Sequence, residues 1–327
     1  MTELHPQIRA SAADLEALVD RTAEALGIDT AFVEKDFWVI EALRIATATA
    51  ASHEVRAIFK GGTSLSRAFG IIQRFSEDVD LLLDFPEGMS KGARDRTIKA
   101  IGEDVRLHFG IATEKVKEDS AGTGVKRNFR LYYPNAKSAD AITEGIYLEI
   151  GSRGGATPSR DVPIRSMIAD HAIKSMNLAE SEYEEFAPVL AHVLAPERTL
   201  IEKIALLAAA GDMFDGGDTD ALAKHGRHVY DVARLLGSID VTQALTDLGP
   251  TGIAELAADI HARSELAQWH SVPQSDAGYL SYPIFQDATG ANGALRAAYE
   301  PAKQLIFGPR PTFQECMAVI AGSAHHL

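Results

Sequence analysis

The sequence predicts an α+β fold in two domains, with strands and helices interleaved over residues 1–195 and an almost wholly helical region over 196–327. Three observations carry this expectation. Short β-rich runs recur at 55–59, 78–83, 125–133 and 142–150, separated by stretches with helical spacing. The segment GSRGGATPSR at 151–160 breaks the pattern with glycine and proline. From Pro196 onward apolar residues recur at helical spacing almost throughout.

Taken in order, DLEALVDRTAEAL at 14–26 is a helix capped by Ser11 or Asp14 and stopped by Gly27. Asp29 or Thr30 caps a second helix over 31–50, with apolar positions at Phe32, Phe37, Ile40, Leu43 and Ile45. VRAIF is a short strand, and a short helix over 63–69 is reached through two glycines. A strand over 78–83 ends before Pro86, and 91–109 is helical. Beyond the 151–160 break come a short helix near 164–176 and a strand near 189–194. ERTLIEKIALLAAA follows, with Pro196 suited to its first turn, then helices over 221–236, 251–268 and 291–306.

With 46% hydrophobic and 24% charged residues, the composition is that of a soluble globular protein with a substantial core. The single cysteine, Cys316, excludes an intramolecular disulfide and fits a reducing compartment. MTELHPQIRASAADLE has no basic end followed by an apolar run, so no secretory signal is expected. No run approaches the roughly 18 apolar residues a membrane span needs. A cytoplasmic protein with no membrane partner is expected. A net charge of −14 argues against general nucleic-acid binding, but the balance between Arg56 and Lys137 is +4, with 15 Lys and Arg against 11 Asp and Glu. Glu77, Asp78, Asp80 and Asp84 are among those acids, so a basic face beside an acidic site competes with an ordinary mixed surface.

FKGGTSLSRAFGIIQRFSEDVDLLL, residues 59–83, concentrates the chemistry. Strand alternation sends Asp78 and Asp80 to one face and Val79 and Leu81 to the other. Two carboxylates on one face repel unless a cation lies between them, and buried without one they would be driven toward protonation. Mg²⁺ is the expected occupant, a hard ion that takes one or two carboxylates and completes its shell with water and substrate phosphates. Upstream, Gly61 and Gly62 allow close backbone approach, and Thr63 and Ser64 offer N–H and hydroxyl donors to a phosphate at a helix start. This is not a Walker A loop, whose spacing is missing. Separately the two motifs are weak, GGTS being a common helix start and D-x-D a common solvated strand face. Their combination on strand, turn, helix and strand is strong.

That combination resembles the first motif of the nucleotidyltransferase fold shared with polymerase-β-type enzymes. KGGTSLSRAF and RFSEDVDLLL, together with VEKDFWVIEAL, IYLEI, ERTLIEKIALL and RHVYDVARLL, resemble more narrowly the AbiEii/AbiGii toxin family, which includes the MenT-type toxins. Beyond about residue 250 no motif carries the resemblance. It implies a nucleotidyltransferase-like mixed sheet with flanking helices over 1–195. It also implies a helical domain over 196–327 that completes the active-site cleft.

Glu149, at the end of an alternating run, is a candidate third acid beside Asp78 and Asp80; the resemblance gives it the role of metal ligand or base, against an edge-strand glutamate facing water. Lys203 flanks the apolar stripe of its helix. The resemblance points it at the nucleotide phosphates, against a solvated lysine covering apolar surface. Asp231 shares a helix side with Arg227 and His228. By resemblance it orients the lysine or acts as a base, against a surface pair with Arg227. Glu34, Lys35 and Asp36 open a helix whose dipole favours acids, which suffices as a structural explanation. Arg67 and Arg74 flank the phosphate turn, either touching nucleotide or lying at the surface. Lys126, Arg127 and Arg130 alternate with Phe129, Tyr132 and Tyr133, and a strand with a core-facing aromatic set explains them more simply than base stacking.

The expected function is that of a Mg²⁺-dependent nucleotidyltransferase moving NMP from an NTP to an RNA acceptor. By resemblance the acceptor is a tRNA 3′ end and a cognate antitoxin, a separate winged-helix-type protein, is the partner. Competing readings are transfer to a small cationic molecule, which suits an acidic protein, transfer to a protein, or a nucleotide-binding regulator without turnover.

Overall fold

The computed structural model describes residues 5–76, 78–134, 137, 143–286 and 290–324; Glu77 of the acidic motif and Ile142 of a predicted strand lie outside these. The chain divides into two compact units, one of Met1–Ala68, Phe75–Ser152 and Ser159–Val193, the other of Phe69–Arg74, Arg153–Pro158 and Leu194–Leu327.

The first unit is built on a seven-stranded sheet. Its strands are β1 (Arg56–Lys60), β2 (Asp78–Asp84), β3 (Val116–Gly122), β4 (Lys126–Leu131), β5 (Ile146–Gly151), β6 (Ser159–Ile164) and β7 (Val189–Leu194), in the order β3-β4-β5-β2-β1-β7-β6. β2 runs antiparallel to β1 and parallel to β5, β7 runs parallel to β1, and β4 runs antiparallel to both β3 and β5. The sheet is therefore mixed, as expected. Two helices, α1 (Ala12–Leu26) and α2 (Thr30–Ser52), precede it. A short α3 (Gly61–Arg67), then α4 (Lys91–His108) and α5 (Met167–Lys174), flank it.

Leu81, Leu148, Phe129 and Phe59 form the apolar face of the sheet and are buried. Helix α4 lies so close to that face that a methyl group at Gly102 would stand 2.6 Å from the Phe129 ring. Ser11, Asp29, Ser90 and Ser166 cap α1, α2, α4 and α5 through their side chains, so the predicted starts of the first two helices hold.

Two strands, β3 and β6, escape the sequence pattern, and they are the two edges of the sheet. VKEDSAG is polar and SRDVPI carries a proline, the composition edges use against strand-to-strand association.

Glu34, Lys35 and Asp36 call for a correction, since the helix dipole does not suffice to explain them. All three are buried. Glu34 accepts from the Lys137 amide at 2.7 Å, and Lys35 donates to the Thr143 carbonyl at 2.5 Å. Asp36 pairs with Arg67 at 3.1 Å and accepts from the Met167 amide at 2.6 Å, tying α2 to the end of α3 and the start of α5.

The second unit is helical, with α6 (Pro196–Asp215), α7 (Gly226–Leu236), α8 (Ile239–Leu266), α9 (Gly290–Ala302) and α10 (Phe313–Gly322). α8 bends where Gly249 takes φ 64° ahead of Pro250, so the predicted helix over 251–268 is its second arm. α10, opened by a Thr312–Glu315 capping box, was not expected.

Removing the Asp36 carboxylate should leave half-buried Arg67 with Asp170 as its remaining counter-charge and take the acceptor from the Met167 amide. Asp36→Ala should cost about 1–3 kcal/mol, the usual penalty for leaving buried donors without their acceptor, measured by urea unfolding.

Candidate active site

β2 is the central strand, and its register fixes what faces what. Lys60 pairs with Asp80 across the β1–β2 ladder, Asp80 with Glu149 and Asp78 with Tyr147 across β2–β5. Asp78, Asp80 and Glu149 therefore share the face opposite Leu81 and Leu148. The two aspartates are half-buried and Glu149 is exposed. Among the described residues, no group of three or more His, Cys, Asp or Glu side chains stands close enough to hold a metal ion. Glu149 is thus placed beside the pair and not gathered with it.

Immediately after Lys60 the chain turns at Gly61, with φ 82°. A methyl group there would overlap the Asp80 carboxylate oxygen as well as straining the backbone. The turn is held by its own hydroxyls. Thr63 Oγ1 donates to the Asp78 carbonyl at 2.7 Å, and Ser64 Oγ donates to the Gly61 carbonyl at 2.9 Å. Both side chains are buried, so the structure uses these hydroxyls to brace the turn against β2. Gly61 is half-exposed and leaves backbone as the surface there, with Gly62 buried behind it.

In the helical unit Lys203 of α6 and Asp231 of α7 are neighbours, at 2.9 Å. Asp231 is fully buried, and Arg74 grips it with two hydrogen bonds, Nε at 2.6 Å and a terminal nitrogen at 2.7 Å. A surface pair with Arg227 is not what forms. Burial alone would push the Asp231 carboxyl up, but Arg74 and Lys203 hold it well below the usual carboxylate range. Burial pushes the Lys203 ammonium down; Asp231 opposes that and Arg74 reinforces it. Lys203 Nζ also donates to His228 Nδ1 at 3.1 Å. Burial, then the charge of Lys203, lowers His228 to about 3, so its ring is the neutral acceptor.

The two flanking arginines are not exposed surface charges but are engaged in ion pairs within the protein. Arg67 is paired with Asp36 and Asp170, and Arg74 with Asp231. What sequence reasoning missed is the pairing of Arg74 with Asp231. The arginine stands 157 positions from its partner, a separation no helical or strand spacing registers. The basic run on β4 divides by strand alternation. Arg127 turns to the α4 side and pairs with Asp95 and Glu118, whereas Arg130 lies over the Tyr147 ring, 4.9 Å from its centroid, on the aspartate face. Phe129 and Tyr133 are buried, as the simpler explanation required, but Tyr132 is half-buried and lies beside Lys117.

A family model described as nucleotidyl transferase AbiEii toxin, type IV TA system, matches residues 44–319. MenT4, a nucleotidyltransferase toxin from Mycobacterium tuberculosis H37Rv, is similar in structure, with 16% identity and a TM-score of 0.47 over 94% of this chain and 97% of that one. No curated protein sequence matches the chain significantly.

The neutral His228 gives a pH signature. Folded, its pKa is about 3 against an ordinary 6.5, so below pH 6.5 the unfolded chain takes up a proton that the fold refuses. Stability should fall as pH drops through that window, by about 2 kcal/mol from this group between pH 7 and 5. Urea unfolding at the two pH values should show the loss in the wild type and a smaller one in His228→Gln.

Proposed function

The chain belongs to the AbiEii family of nucleotidyltransferase toxins of type IV toxin–antitoxin systems and is a nucleotidyltransferase; from that premise we propose that it moves NMP from an NTP to an RNA hydroxyl, with Mg²⁺ held by Asp78 and Asp80. The family implies an NTP substrate and an antitoxin partner. Among the described residues no helix is long and apolar enough to cross a membrane.

The observation that carries the reading is the aim of Asp78 and Asp80 at one face, with Gly61 closed against the Asp80 carboxylate. The donor set fits the metal, because two hard carboxylate oxygens suffice for an ion that keeps the rest of its shell as water and phosphate. When bound, such an ion supplies charge neutralisation at the transferring phosphoryl group.

The chain's own residues do the rest. The Gly61–Gly62 backbone, braced by Thr63 and Ser64, receives the NTP phosphates. The RNA hydroxyl attacks the α-phosphorus in line, a new P–O bond forms, and the bond to the β-phosphate oxygen breaks to release pyrophosphate. Glu149, in register with Asp80, takes the hydroxyl proton. Within the helical unit Asp231 positions Lys203 and favours its protonated state, so that unit carries a cation of its own. Asp231 is not cast as the base, because Arg74 and Lys203 stabilise its ionised form so strongly. The acceptor is a tRNA 3′ end in this reading.

Incubation with each α-labelled NTP, Mg²⁺ and purified tRNA should label the RNA. Asp78→Asn and Asp80→Asn should each lower that labelling by at least about 10²–10³-fold, the scale on which removing an electrostatic stabiliser acts, while far-UV circular dichroism stays unchanged. Wild-type rates in both variants would refute the assignment.

A further inference from the structure

The sheet order sets two different surfaces on opposite sides of β2. The Gly61 turn follows β1, on one side of the aspartates, and β5, β4 and β3 lie on the other. If phosphates approach from the β1 side, what lies beyond Glu149 meets the acceptor.

That region is built as a polar platform on the aspartate face. Arg130 and Tyr147 are register partners, the guanidinium 4.9 Å from the ring centroid. Lys117 pairs with Arg130 across β3–β4 and lies 5.2 Å from the Tyr132 ring centroid. Lys126 is exposed at the start of β4. The nearest acid on the edge strand, Asp119, reaches Arg130 only at 4.0 Å. Between platform and aspartates sits Asn128, register partner of both Glu149 and Ser120. One end of its amide donates to the Tyr147 hydroxyl at 2.9 Å. The other end, Oδ1, is buried and has no hydrogen-bond partner among the described residues, although Asn128 is only 8% exposed; Ser120 Oγ beside it is in the same condition. Buried polar groups without partners are costly, and two adjacent ones beside a candidate active site mark a place a ligand completes.

Resting on the nucleotidyl-transfer reading, we propose that Lys117, Asn128, Arg130 and Tyr147 form the acceptor platform, and that its occupant is the terminal nucleotide of a single-stranded RNA. Asn128 lies two strand spacings from Asp80, roughly 10 Å, which is the scale of a nucleoside measured from its reacting hydroxyl to the far edge of its base. The free amide end of Asn128 and the Ser120 hydroxyl match the hydrogen-bonding edge of a base splayed out of a helix. Tyr147 with Arg130 offers a stacking surface that carries positive charge toward a phosphate. A small cationic acceptor finds three cations here, Lys117, Lys126 and Arg130, and is disfavoured.

The test is fluorescence anisotropy with a 5′-fluorescein hexaribonucleotide blocked as a 3′-deoxy end, which binds without reacting. The wild type should bind it. Tyr147→Ala should weaken binding about 5- to 100-fold, the worth of one stacked base, while Tyr147→Phe, which keeps the ring, stays within a few-fold of wild type. Since the Tyr147 variants could disturb the fold, Arg130→Glu and Lys117→Glu at the half-exposed and exposed positions provide an independent arm, each expected to weaken binding and reduce its salt dependence. Binding that is absent in the wild type, or equal in all variants, overturns the platform. So does label from an α-labelled NTP that passes to spermidine or to a protein and never to RNA. Transfer that fails with every acceptor, with Arg130- and Tyr147-dependent binding intact, supports the platform and counts only against the nucleotidyl-transfer reading.

Discussion

Lys60 and Asp80 face each other across the β1–β2 ladder, and one residue later Gly61 turns the chain, at φ 82°, against the Asp80 carboxylate. Within the sheet unit, the geometry of the aspartate pair depends on this approach. With no side chain on Gly61, backbone comes into contact with the carboxylate and limits where it can swing. The same turn reaches back to the other aspartate, because the Thr63 hydroxyl is hydrogen-bonded to the Asp78 carbonyl. One short segment thus braces both residues of D-x-D. Asp36 extends the support by holding Arg67, at the far end of α3, and the first amide of α5. Charged residues set away from the face thus join the elements around it.

A related logic operates in the helical unit. An ammonium buried as deeply as Lys203 tends to lose its proton, and Arg74 nearby makes matters worse. Asp231 supplies the opposing charge, but a carboxylate buried alone would itself protonate. Arg74, by its two-point grip, is what keeps Asp231 ionised. The three groups therefore form a chain of dependence from Arg74 through Asp231 to Lys203, with neutral His228 accepting the remaining lysine hydrogen bond. A histidine that became charged there would add a second cation against Lys203, which is why its low pKa belongs to the design of the cluster and not only to its burial.

The central features of the fold were legible because they rest on local periodicity. β2 and β5 announce themselves by alternation, and α1, α2 and α6 by apolar spacing and caps. What escaped has one cause, namely that its explanation lies far away in the chain. β3 and β6 are strands through their neighbours, since VKEDSAG and SRDVPI carry little strand signal of their own. Asp36 reads as a helix-start acid until α3 and α5 are seen around it. Thr63 and Ser64 read as phosphate donors from residue type, while only tertiary placement shows that their hydroxyls are spent on carbonyls. Arg74 belongs to the same class, its meaning residing in Asp231. For the paired aspartates the reverse holds: their spacing of two is itself the geometry, so strand alternation was enough.

The acidic balance of the chain looks at first like an obstacle to any nucleic-acid acceptor. Net charge, however, acts over distance, and at physiological salt screening limits that reach to about 8 Å. Within such a radius a bound strand would meet Lys117, Arg130 and Lys126 and the aspartates, whose charge a divalent cation would offset. The surplus of acid elsewhere then has a consequence of its own. On the proposed reading it would weaken nonspecific binding of RNA to the remaining surface and leave the basic strip as the favoured contact. A protein of this kind gains little affinity from phosphates, since few cations are engaged. In the proposed platform recognition would then come from stacking and from the unpaired amide oxygen of Asn128, contacts that require an unpaired terminal base and that a duplex cannot supply. Low charge attraction and a demand for a free strand end are thus two sides of the same arrangement, and both follow from placing three cations and a half-satisfied asparagine beside two aspartates.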